Sequence, residues 1–143
     1  MNIRRHSIRL IAAGLVMVTA CQSQRSVPET VFKALEKADH IDITTSSKQV
    51  RTIVQPWRIR KTARLLGHYT EGWRRPLSGT PLSGLVIAFH NGQNLLERFG
   101  IGEDFITMGE DLLWCQPLDP NDHKELLAGL AIEERTLPPL KRD

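Results

Sequence analysis

The chain has 143 residues, with 19 Lys and Arg against 16 Asp and Glu. Three of the bases, Arg4, Arg5 and Arg9, lie in the first twenty residues, which hold no acid, so the other 123 residues carry sixteen charges of each sign. This balance excludes a nucleic-acid reading based on net charge, and 123 residues suffice for one hydrophobic core but not for two.

A basic start, Met1 to Arg9, leads into an apolar run from Leu10 to Val18, followed by Thr19-Ala20-Cys21. Basic, apolar and small-residue parts in this order make a secretory signal. The run is about half the ~20 residues needed to cross a bilayer, so a permanent transmembrane helix is not expected. Thr19-Ala20-Cys21, placed at the end of the run, resembles the lipobox of bacterial lipoproteins. The resemblance covers residues 1–21 only. It implies that the Cys21 thiol receives a diacylglyceryl group, that residues 1–20 are removed, and that Cys21 becomes the N-terminus. Gln22 stands where an Asp would favour retention in the inner membrane, which implies an outer-membrane lipoprotein facing the periplasm in a Gram-negative cell. Each buried acyl CH₂ contributes ~0.8 kcal/mol and one chain holds only marginally; the two or three chains of this class imply a lasting attachment. An acylated Cys21 leaves Cys115 as the second of two cysteines, so no disulfide is expected within the mature chain. Cys115 ends the apolar run Leu112-Leu113-Trp114 with no base closer in sequence than Arg98 and Lys124, and reads as a buried, inert thiol.

Residues 21–28 are polar and lack periodicity, and read as a tether. From Pro28, Val31, Phe32, Leu35 and Ala38 make one helical face. His40-Ile41-Asp42-Ile43-Thr44 alternates as a strand, and Val50 to Val54 reads as a further extended segment. Pro56 suits the first turn of a helix in which Ile59, Ala63 and Leu66 recur, with Gly67 as its cap. The opposite face carries Arg58, Arg60, Lys61 and Arg64. Such a basic amphipathic helix could lie on a membrane, but its apolar stripe reads more simply as packing on a sheet. His68 to Gly84 reads as a loop, rich in Gly and Pro, that either offers Tyr69, Trp73, Arg74 and Arg75 as a partner-binding surface, since aromatic and Arg side chains are favoured at binding hot spots, or turns Trp73 inward to cap the core. Leu85 to His90 is a strong strand, Asn91-Gly92 a type I′ hairpin dipeptide, and Leu95 to Phe99 the returning strand. Phe105 to Thr107 and Leu112 to Cys115 are shorter candidates. Asp119 and Pro120 open a last helix with Leu126, Leu127 and Leu130 buried, and Pro138-Pro139 ends regular structure.

These segments predict a signal peptide (1–20), a tether (21–28) and a single α+β domain (29–143), built on a small antiparallel sheet of about four strands with helices packed on one face. The charge is uneven. Residues 51–75 hold seven bases against Glu71, and residues 97–134 hold ten acids against Arg98 and Lys124.

No local motif carries chemistry. His40, His68, His90 and His123 include no pair at the i, i+4 spacing of a zinc helix, and no metal or other cofactor is expected. Gly100-Ile101-Gly102 lacks the third glycine of a dinucleotide loop. Asp119-Pro120-Asn121-Asp122 lacks the glycine and final Glu of an EF-hand. The reading is therefore a membrane-anchored, non-catalytic envelope domain that binds a protein partner and no nucleic acid. The alternative is a small envelope hydrolase with a site assembled from distant residues such as His68, His90 and Asp104.

Overall fold

The computed structural model describes residues 24–45, 48 and 50–132. The signal, Cys21, the turn residues Ser46 and Ser47, and the tail after Ile132 lie outside the described residues. Three helices, α1 (Glu29–Leu35), α2 (Pro56–Leu66) and α3 (Pro120–Gly129), accompany strands β1 (Gln24–Arg25), β2 (His40–Thr45), β3 (Val50–Ile53), β4 (Trp73–Arg74), β5 (Leu85–Asn91), β6 (Asn94–Ile101), β7 (Phe105–Met108) and β8 (Trp114–Pro117). All strands join one sheet in the order β1-β4-β8-β7-β6-β5-β2-β3, and every pairing is antiparallel.

The expected sheet of about four strands is thus an eight-stranded one, and the sheet dominates the fold. The shortfall has a physical cause. Strands β1 and β4 have two residues each, too few for an alternation pattern to register, and β3, β7 and β8, with four each, give only short extended segments in the sequence. The expected tether is also shortened. Gln24 and Arg25 pair with Arg74 and Trp73, Val27 is buried, and its N–H donates to Thr70 O at 2.6 Å.

Pleating sends alternate side chains to opposite faces. One face carries Ile41 and Ile43 from β2, Leu85, Ile87 and Phe89 from β5, Phe99 and Ile101 from β6, and Ile106 and Met108 from β7, all buried. Against it pack Phe32 and Leu35 of α1, Ile59, Ala63 and Leu66 of α2, and Leu126 and Leu127 of α3. Phe99 sits among aromatics, edge-on to Phe89 at 6.0 Å and stacked with Phe32 at 6.4 Å; such pairs contribute about 0.5–1.5 kcal/mol each beyond the area they bury. α3 is capped as its sequence predicts, since the Asp119 carboxylate accepts from Asn121 and Asp122 N–H.

The hairpin turn falls one residue later than expected. Asn91 pairs with Asn94, so Gly92 and Gln93 form the loop. Only Gly92 has positive φ, at 59°, the pattern of a turn with Gly at its first central position rather than one with both centres left-handed. A register shift between Phe89 and His90 adds a bulge just before that turn.

The connection from β4 to β5 must pass three intervening strands. It crosses the face opposite the helices, where Ser83 lies against Gly100 so closely that a Cβ at position 100 would collide with both Ser83 and Thr107.

Candidate functional site

The residues singled out in the loop after α2 are divided by the fold. Trp73 is fully buried (0% exposed) and Tyr69 nearly so (9%). Trp73 Nε1 donates to Tyr69 O at 2.7 Å. The Tyr69 hydroxyl donates to Asp122 Oδ2 at 2.5 Å and accepts from Asp119 N at 3.1 Å. Burial, together with the bond to Asp122, pushes the Tyr69 phenol up to about 12. These two aromatics therefore clamp the loop to the start of α3 and belong to the core; Arg74 and Arg75 remain exposed. His68, His90 and Asp104 lie in three different places. His68 lines a groove on α2, Asp104 lines a cavity beside β8, and His90 stands in a cluster with His40 and Asp42.

The aromatic and basic surface expected after α2 is found on α2 itself. Ile59, Ala63 and Leu66 turn inward, and the helix spacing then places Trp57, Arg60, Lys61 and Arg64 outside. They line a groove of about 440 Å³ with Leu65, His68 and Glu125 of α3. Trp57 is 55% exposed, and the Arg58 guanidinium lies 5.0 Å from its ring centre, within cation–π range. Arg64 Nε reaches Glu36 at 3.3 Å. Among the described residues Arg60 and Lys61 have no ion-pair partner, so the groove keeps an excess of positive charge.

A second constellation lies on the other face of the sheet. His40 pairs in register with His90 across β2 and β5, and Asp42, two residues along β2, falls on the same face. The imidazoles stack at 4.9 Å and within 4° of parallel. Asp42 Oδ2 lies 3.9 Å from His40 Nε2 and 3.6 Å from His90 Nε2. The Thr52 hydroxyl donates to Asp42 Oδ1 at 2.6 Å, and Asp39 Oδ1 meets His40 Nδ1 at 2.5 Å. Asp39 Oδ2 accepts from Gly92 N–H at 2.6 Å. That backbone bond, followed by the contact with His40, holds the Asp39 carboxyl below its ordinary range. All three groups of the cluster are partly solvent-exposed.

A shallow cavity of about 310 Å³ beside β8 is lined by Arg74, Pro76, Asp104, Phe105, Cys115, Gln116 and Pro117. Burial, then the nearby Asp104 carboxylate, pushes the Cys115 thiol up, which disfavours the thiolate a nucleophile requires.

The loop leading from β4 repeats Pro-Leu-Ser-Gly at residues 76–79 and 81–84. Its Leu77 and Leu82 are the most exposed large apolar side chains among the described residues, at 82% and 86%.

No described helix is long and apolar enough to cross a membrane. No family model matches the chain, and no curated protein or solved structure is significantly similar to it.

The groove was partly legible, since Arg60, Lys61 and Arg64 line it as their spacing on α2 predicts; Arg58, expected on the same exposed face, is half-buried and lies against Trp57. The histidine cluster was not. Its members come from segments about fifty residues apart, and only the β2–β5 register brings them together. The faint signal was His40 and Asp42 on the wet side of an alternating strand.

Proposed function

We propose that this chain is an envelope lipoprotein, anchored through acylated Cys21, whose non-catalytic domain binds an acidic protein partner through α2. The observation that carries the binding half is the exposed Trp57, stacked with Arg58, at the mouth of a groove whose Arg60 and Lys61 are unpaired. Trp and Arg are the residues most enriched at binding hot spots, and excess positive charge steers acidic partners and speeds encounter. Supporting the non-catalytic half, Cys115 is disfavoured as a thiolate.

The anchor half rests on Thr19-Ala20-Cys21 and on where the sheet begins. Cys21 precedes Gln24 by three residues, which span at most about 10 Å at full extension. Gln24 pairs antiparallel with Arg74, so the chain enters β1 at the end of the sheet where Arg74 leads to Arg75 and the Leu77 loop. In an acylated chain this end would face the headgroups, with Arg74 and Arg75 near anionic phosphates and Leu77 and Leu82 at the acyl boundary.

The test is capture of partners from solubilised envelopes by the acylated chain, compared with Trp57→Ala and with Arg60→Glu/Lys61→Glu. A protein retained by the wild type at low salt, released by high salt and lost with both variants supports the reading. Equal retention by all three chains contradicts it. The mass of the mature chain, which should lack residues 1–20 and carry acyl groups, tests the anchor separately.

A further inference from the structure

We propose that His40, Asp42 and His90 bind a single transition-metal dication, with zinc(II) the reference ion. The donor set is two imidazole nitrogens and one carboxylate oxygen, a combination suited to zinc, copper(II) and nickel(II) rather than to magnesium or calcium. One ligand atom from each of His40, Asp42 and His90 lies within 4.8 Å of the other two. The separations of 3.6 and 3.9 Å from the carboxylate to the two rings are too long for hydrogen bonds. They suit ligands that share one ion at ~2.0–2.2 Å from each once the stacked imidazoles turn so that their lone pairs converge on it.

The second atom of two of these ligands is already committed. Asp39 engages His40 Nδ1, which favours the tautomer with its proton on Nδ1 and leaves the Nε2 lone pair facing Asp42. The Thr52 hydroxyl engages Asp42 Oδ1 and leaves Oδ2 facing the two rings. Asp39 is itself fixed by the Gly92 N–H of the hairpin turn. A carboxylate behind a ligating histidine and a hydrogen bond behind a ligating carboxylate are the outer-shell contacts that orient metal ligands. The ligands stand on two paired strands, β2 and β5, a stiffer base than a loop. Three protein ligands leave a coordination position for water or a ligand from a partner. The site is independent of both the Cys21 anchor and the α2 groove.

The experiment is a titration of the full acylated chain in detergent with Zn²⁺ against a chromophoric chelator, followed by copper(II) electron paramagnetic resonance on the same protein. One equivalent should bind per chain, and the copper spectrum should show coupling to two imidazole nitrogens. His40→Gln and His90→Gln should each weaken zinc binding strongly, and the copper that each still takes up should couple to one imidazole nitrogen only. Asp39→Asn and Thr52→Val should weaken binding by about 10–100-fold while circular dichroism shows both variants still folded at the pH of the titration. Absence of stoichiometric uptake by the folded wild type overturns the proposal, as does uptake unchanged in His40→Gln and His90→Gln. The copper spectrum of the wild type decides the matter even where a variant fails to fold, because a spectrum without imidazole coupling overturns it alone.

Discussion

Replacing Trp73 and Trp57 separately by alanine distinguishes core from surface in this fold. Trp73 is fully buried and donates to Tyr69 O at 2.7 Å. Its truncation removes a large side chain from a packed core, at a cost of about 3–5 kcal/mol, and leaves a buried carbonyl short of one donor, about 1 kcal/mol more. A domain of this size has on the order of 5–15 kcal/mol of stability, so the variant should be severely destabilised, with Tm lowered by roughly 10–20 °C. Trp57 is 55% exposed and stacks only with Arg58; its truncation should change stability by no more than about 0.5 kcal/mol. Urea unfolding followed by far-ultraviolet circular dichroism measures both. Trp57→Ala should lose binding with its midpoint intact, whereas any loss of binding in Trp73→Ala should follow its loss of fold. Equal destabilisation by the two changes, or a Trp73→Ala chain as stable as wild type, would refute the division of the two aromatics.

Asp39 has a folded-state carboxyl held below its ordinary value. Its stabilisation is therefore present above the unfolded carboxylate range and lost as pH falls through the folded value; acid unfolding of Asp39→Asn should show a shallower pH dependence than wild type. Tyr69 shows the opposite sign, since its phenol is raised to about 12. That contribution is complete below about 10, the ordinary tyrosine value, and is lost as pH rises toward 12; Tyr69→Phe should flatten the alkaline limb of stability against pH. Gly100→Ala should cost about 1–3 kcal/mol in urea unfolding, because its Cβ would meet Ser83 and Thr107 within van der Waals contact, and Ser83→Gly in the same chain should restore part of it. An environment-sensitive fluorophore at position 77 or 82 of the acylated chain in anionic vesicles should shift to the blue and be quenched by lipids labelled near the headgroup. A probe at Lys48, beside the opposite edge strand of the sheet, should stay in water. Three probes reporting water would contradict the seating of the loop against the bilayer.

The parts of the fold legible in the sequence are those whose signals are local. Asp119-Pro120 with Leu126 and Leu127 marks α3 because capping and apolar spacing agree. Ile59, Ala63 and Leu66 likewise mark the inward face of α2. The β5–β6 hairpin is announced by six apolar-rich residues before Asn91-Gly92, although the turn centres on Gly92 and Gln93, one residue later. What was not legible depends on partners distant in sequence. Trp73 reads as a loop aromatic until β4 is seen to pair with β1 and β8. Gln24 and Arg25 read as linker for the same reason, and with β4 they account for part of the difference between four strands and eight. The shift of the aromatic and basic surface from Trp73 to Trp57 follows from this. Both residues neighbour arginines in sequence, but only the one on the outer face of α2 meets solvent.

The most direct test of the central claim places a photoreactive side chain at position 61 of the acylated chain in living cells and, as a reference, at position 48. Irradiation should produce an adduct with an acidic protein at position 61 and none at 48, and Trp57→Ala should remove it. An adduct that survives Trp57→Ala, or none at position 61 while the acylated chain is folded at the membrane, would contradict a partner-binding role for α2.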